Sequence, residues 1–149
     1  MAQEPLVLLL DDEFLIATVT GELLEDKGFA VITAGTPVDA IRVLDDLNEP
    51  VSALFLDIHL KDGATSFEVA RAARRRFPEI AVLYTSGLPD AGFSEECVSG
   101  GQFIAKPYDA NAVAGMLRAM TTVQRPEPVA ASRASTSSSI APLPSAFAA

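Results

Sequence analysis

The sequence predicts an α/β fold, a doubly wound parallel sheet of five strands with helices on both faces, and three observations predict it. Short apolar runs alternate five times with segments of helical period, the signature of strand–helix units in a parallel sheet. The runs are continuous and end abruptly, as buried strands do. Acidic, hydroxyl and basic residues stand directly after them: Asp11-Asp12, Asp57, Thr85 and Lys106. If each run is a strand, all of these lie at the C-terminal edge of one sheet, where open α/β sheets bind ligands.

Leu6–Leu10 is the first strand, closed by Asp11-Asp12. From Glu13 to Lys27 the period changes, with Ile16, Val19, Thr20, Leu23 and Leu24 forming an expected buried stripe and Gly28 a C-terminal stop. Phe29–Ala34 reads as the second strand. Thr36-Pro37 opens a helix carrying Ala40, Ile41, Val43, Leu44 and Leu47, with proline in its first turn, and Asn48-Glu49-Pro50 breaks it. Val51–Leu56 is the third strand. Ser66–Phe77 is a helix stopped by Pro78, Ile80–Tyr84 the fourth strand and Gln102–Ala105 a weaker fifth. Between the last two, Ser86–Gly101 is rich in glycine and supports at most a short helix around Ser94–Val98. Asp109 caps a final helix with Val113, Met116, Leu117 and Met120 on its apolar face.

The chain of 149 residues suits one domain, here 1–123, and its 49% hydrophobic content suffices for a core. Residues 124–149 are Ala/Ser/Pro-rich without apolar period, and such a segment buries too little to offset its ordering entropy. They are expected to be disordered, and are too few for a helix-turn-helix output domain. A net charge of −9 argues against nucleic acid as partner. The run Arg74-Arg75-Arg76 closes a helix, where cations favour the dipole's negative end, and is read as structural. One cysteine, Cys97, suits a reducing compartment. With no basic segment ahead of an apolar one at the N-terminus, and no run long enough to span a bilayer, the cytoplasm is the expected location and no membrane partner is expected.

Three carboxylates in one crevice are costly unless a cation joins them. An all-oxygen set with room for water suits Mg²⁺, which makes Asp11, Asp12 and Asp57 candidate ligands. Any one strand-end aspartate also serves as a turn or cap residue. Lys106, before Pro107, can pair with a carboxylate or a phosphoryl oxygen, and an exposed strand-end lysine is the plain alternative. The Lys106-Pro107 bond is a candidate cis peptide. The Thr85 hydroxyl can donate to a phosphoryl oxygen, and Ser86 is a rival for that role. His59, the one histidine, is read as a solvent-facing loop residue.

In order and interval, Asp11-Asp12, Asp57, Thr85-Ser86 and Lys106-Pro107 resemble the receiver domain of two-component response regulators, across residues 6–123. The resemblance implies a CheY-like, flavodoxin-like three-layer sandwich with strand order 2-1-3-4-5. It implies that Asp57 accepts a phosphoryl group from a histidine kinase or a histidine phosphotransfer protein, with Mg²⁺ held directly by Asp12, through water by Asp11, by Asp57 and by the backbone carbonyl of His59. Thr85 and Lys106 would contact the phosphoryl group. Phe103, three residues before the lysine, matches the family's switch aromatic but lacks a phenolic hydroxyl. Phe14 and Leu15 match the surface that docks phosphodonors. The glycine-rich Ser86–Gly101 departs from the fuller fourth helix of many relatives.

The expected function is a stand-alone response regulator in a phosphorelay, monomeric or weakly dimeric, that catalyses only its own phosphorylation and dephosphorylation. It would signal through protein contacts or act as a phosphate sink. Alternatives are an adaptor or truncated receiver whose tail recruits a partner, a receiver used only for binding, or an aspartate-nucleophile phosphatase. The phosphatase usually has a second acid two residues beyond the nucleophile, where this chain has His59. A flavodoxin-like cofactor carrier is disfavoured because Asp11-Asp12-Glu13 would repel a phosphate.

Overall fold

The computed structural model describes residues 4–88 and 95–124. The elements run β1 (Leu6–Leu10), α1 (Phe14–Asp26), β2 (Ala30–Ala34), α2 (Pro37–Asp46), β3 (Ala53–Asp57), α3 (Phe67–Arg76), β4 (Ala81–Ser86), β5 (Gln102–Ala105) and α4 (Ala110–Gln124). The five strands are all parallel, in the order β2-β1-β3-β4-β5.

The continuous apolar runs have a simple cause. Successive side chains of a strand point to opposite faces, and both faces here are covered. Leu8, Leu10, Leu54, Leu56, Val82 and Tyr84 face one core with Ala40, Leu44, Val69 and Ala73 of α2 and α3. Val7, Leu9, Phe55 and Leu83 face the other with Ala17, Leu24, Val113 and Leu117 of α1 and α4. Each fully buried leucine or phenylalanine contributes roughly 1.5–3 kcal/mol over its exposed state, so the central strands are held firmly. Their C-terminal ends are rigid mounts for whatever side chain comes next.

Local signals place the helices. The Thr36 hydroxyl caps α2 by accepting from the Asp39 amide at 3.1 Å, with Pro37 following. Asp109 caps α4 through the Asn111 amide at 2.9 Å. Gly28, at φ 97°, turns the chain out of α1 into β2, a conformation that costs any other residue more. The arginine run is structural: Arg76 donates to the carbonyls of Leu44 and Leu47, and Arg74 to those of Ile80 and Ser99.

Four expectations need correction. The buried stripe of α1 is Ala17, Thr20, Gly21 and Leu24, whereas Val19 and Leu23 are exposed. A Cβ on Gly21 would stand 3.6 Å from the Val31 side chain, in ordinary contact; the inner face of α1 mixes small residues with Leu24. β3 begins at Ala53 and extends through Asp57, and β4 extends through Ser86, because Asp57 pairs with Thr85 and Ser86 with Ala105. The described part of the short helix expected around Ser94–Val98 is turn and bend: the Val98 amide donates to the Tyr84 hydroxyl at 3.0 Å and its carbonyl accepts from Gly101, so neither serves a helix. Ser94 itself lies outside the described residues. The last helix takes in Gln124, and the tail beyond it also lies outside the described residues.

Candidate functional site

Asp57 is the last residue of β3, the middle strand, and Asp11 and Asp12 directly follow β1 beside it. Their carboxylate oxygens lie within 4.8 Å of one another. Asp11 and Asp57 are buried, Asp12 less so. The Lys106 ammonium enters from the end of β5 and donates to Asp57 Oδ2 at 2.8 Å and to Asp11 Oδ2 at 3.3 Å. Asp11 Oδ1 accepts from the Glu13 amide at 2.8 Å, and Asp12 Oδ2 from the Lys61 amide at 2.6 Å. The Lys106-Pro107 bond is cis.

Charge is unbalanced here. Burial pushes the Asp57 carboxyl above its ordinary range; Lys106 opposes this, and Asp11 and Asp12 add to it. Burial alone would lower the Lys106 pKa, but the hydrogen bond to Asp57 and the charges of Asp11 and Asp57 outweigh it and hold the ammonium above its usual value. One ammonium faces three carboxylates, and a small divalent cation with oxygen preference fits that donor set.

Thr85 is aligned with Asp57 in the parallel register of β3 and β4. Its hydroxyl is buried and has no hydrogen-bond partner among the described residues. Leaving such a group unpaired costs about 1–3 kcal/mol, so it has an acceptor to gain beside the acidic cluster. The rival hydroxyl is engaged elsewhere: Ser86 Oγ lies 3.1 Å from His59 Nδ1 and accepts from the Leu88 amide at 3.0 Å. His59 is exposed, as expected, in a loop closed by a bridge to Thr65. Its link to Ser86 was not foreseen, because no sequence spacing reports which loop side chain folds back onto a strand end.

Phe103 is half-buried against the core on the α2 and α3 side, in register with Tyr84. Phe14 and Leu15 are 78% and 76% exposed. Together with Val19 they give α1 an apolar outer face. Leu15, Ile16 and Val19 line an open groove of about 550 Å³ whose other wall is Lys106, Pro107 and Tyr108. Tyr108 was missed from sequence: its hydroxyl lies 3.0 Å from Thr20 Oγ1, and its ring meets Phe55 edge-on at 5.3 Å. Only the closure of the fold brings residues 20, 55 and 108 together.

No protein-family model matches the chain. It is 25% identical over 122 residues to the sensor kinase CckA of Brucella abortus, a match covering 79% of this chain and 13% of that protein. Among solved structures, a response regulator receiver protein from Sinorhizobium medicae matches with a TM-score of 0.75 at 22% identity, over 82% of this chain and 98% of its own. A CheY-like receiver domain protein from Methanospirillum hungatei matches with a TM-score of 0.72 at 22% identity, over 82% and 97%. The receiver domain of the hybrid histidine kinase CckA matches with a TM-score of 0.66 at 21% identity, over 78% and 98%. With five parallel strands in the order 2-1-3-4-5 and these matches, the chain has the fold of the response-regulator receiver domain.

Proposed function

We propose that the chain is a response-regulator receiver in two-component signalling, which takes a phosphoryl group onto Asp57 from a histidine kinase or a histidine phosphotransfer protein. The observation that carries this reading is what surrounds one buried carboxylate: two more carboxylates, an ammonium at 2.8 Å, and in register on the next strand a buried hydroxyl without a partner. A metal site alone has no use for the last two groups. A phosphoryl acceptor uses all of them.

In the transfer, an Asp57 oxygen attacks phosphorus, the P–N bond of the donor's phosphohistidine breaks, and the departing imidazole keeps the electron pair and takes a proton. Asp12, Asp11, Asp57 and the His59 carbonyl would hold Mg²⁺, whose charge offsets that of the incoming phosphoryl group. Lys106 turns from the carboxylates to a phosphoryl oxygen and Thr85 donates to another, through charge-assisted hydrogen bonds. Phe103 follows Thr85 inward as the switch. The exposed Phe14 and Leu15 dock the donor, and the output is a protein contact or the draining of phosphate from the relay. The protein turns over no substrate but its own phosphoryl group. Among the described residues no helix is long and apolar enough to cross a membrane, and the cytoplasm is the proposed location.

The test is phosphotransfer profiling. Each histidine kinase of the source organism is autophosphorylated with labelled ATP and mixed with the protein. Rapid transfer from one donor, absent with Asp57→Asn, is the expected result; no transfer from any donor contradicts the reading.

A further inference from the structure

Tyr108 is joined to the acceptor site through the chain, by Lys106, and to α1 through a side-chain hydrogen bond. Two residues before it, Lys106 pairs with Asp57 and Asp11. On its far side the hydroxyl meets Thr20, a buried residue of α1. Tyr108, Pro107 and Lys106 form one wall of the groove, and Leu15, Ile16 and Val19 form the other. We propose that the Tyr108–Thr20 hydrogen bond couples the phosphorylation state of Asp57 to the shape of this groove, so that the donor surface is in one arrangement while Asp57 is free and in another once it is phosphorylated. The inference rests on the reading of Asp57 as the phosphoacceptor.

Two forces act on Lys106 when Asp57 carries a phosphoryl group. The ammonium, which pairs with two carboxylates in the free protein, is drawn to oxygens that lie farther out by the length of an acyl-phosphate O–P linkage. The Lys106 amide donates to the carbonyl of Ser86 at 3.0 Å, so any movement of Thr85 toward the phosphoryl group also reaches Lys106 through its neighbour. Pro107 has a fixed φ, which removes one soft torsion between Lys106 and Tyr108. The Tyr108 ring is braced by Phe55. What can give is the hydroxyl end, where a hydrogen bond either persists or is exchanged for water in the open groove.

The groove also states what it fits. Between Phe14 and Asp26 the helix has no lysine or arginine, and Glu13, Glu22, Glu25 and Asp26 are all exposed around the apolar face. The complement is an amphipathic helix of the phosphodonor with an apolar stripe flanked by lysine or arginine. Because Lys106 belongs to both groove and acceptor site, such a helix lies directly beside Asp57. A groove that changes on phosphorylation lets the spent donor leave. The rival outcome is that the flexible lysine stem absorbs the whole displacement and Tyr108 stays still.

The chain has two tyrosines, Tyr84 and Tyr108, so 3-fluorotyrosine labelling gives two fluorine resonances, assigned with Tyr84→Phe. Spectra of the full chain are taken with Mg²⁺ alone and with Mg²⁺ plus acetyl phosphate, while intact mass records phosphorylation. The Tyr108 resonance should shift on phosphorylation. In Thr20→Val it should be displaced before phosphorylation, and the phosphorylation shift should fall by more than half. Thr20→Ser, which keeps the hydroxyl, should restore both. A phosphorylated protein whose Tyr108 resonance does not move, or a Thr20→Val variant keeping the full shift, overturns the coupling. A chain that gains no phosphoryl mass overturns the phosphoacceptor reading itself, and the coupling with it.

Discussion

Asp57, the proposed phosphoacceptor, has its carboxylate where burial opposes ionisation. Its raised pKa means that the folded state disfavours the charged form. At neutral pH the ionised site therefore detracts from stability, and that penalty is relieved as pH falls through the folded pKa. Lys106 is linked the other way: its raised pKa adds stability at neutral pH, which is lost as pH rises through its folded value. Without Mg²⁺, Asp57→Asn should raise the melting temperature by roughly 2–6 °C, since about 1 kcal/mol shifts a domain of this size by roughly 4 °C. Added Mg²⁺ should stabilise the wild type more than the variant. Thermal unfolding with and without the ion measures both. The two other aspartates are not equivalent. Both oxygens of Asp11 are already engaged, by Glu13 and Lys106, while Asp12 accepts through Oδ2 from the Lys61 amide. Asp12→Ala should weaken Mg²⁺ affinity at least tenfold and Asp11→Ala by less, as read from a titration of each; equal, unchanged affinities would remove the site as drawn. These charged residues were legible in sequence because each stands at the end of a short apolar run that reads as a strand. The pairs Thr20–Tyr108 and His59–Ser86 were not, since each depends on loop geometry across a large sequence separation.

At the scale of elements, sequence period located helices well and their buried faces less well. For α2 and α3 the large apolar residues, Val38 apart, mark the inner face. For α1 they mark it only in part: Leu24 is buried with Ala17, Thr20 and Gly21, whereas Phe14, Leu15, Val19 and Leu23 are exposed. Hydrophobicity alone does not single out small residues such as Ala17, Thr20 and Gly21 for that face. The connection from β4 to β5 shows the same limit. Tyr84 is buried with its hydroxyl on the Val98 amide, and a Cβ on Gly101 would come within 2.9 Å of the Tyr84 ring and 3.2 Å of the Val98 carbonyl. Gly101→Ala should destabilise the protein by about 1–3 kcal/mol, the usual cost of overpacking. In a Tyr84→Leu background the added cost should shrink, and a double-mutant cycle by denaturant unfolding measures the difference. An undiminished cost would assign the strain to the Val98 backbone instead.

For the whole molecule, the doubly wound order brings the ends of β1, β3, β4 and β5 to one edge, so that residues 11, 12, 57, 85 and 106 meet although long stretches of chain separate them. Helices on both faces bury the strands that carry them, and the fixed strand ends hold an acidic cluster that would otherwise spread apart. This edge is what would make Asp57 a phosphoacceptor. The most direct measurement is intact mass spectrometry of the protein after incubation with acetyl phosphate and Mg²⁺. One added phosphoryl group, lost on chelation of the metal before incubation and absent from Asp57→Asn, is the predicted result. Undiminished phosphorylation of Asp57→Asn, or none of the wild type, would contradict it.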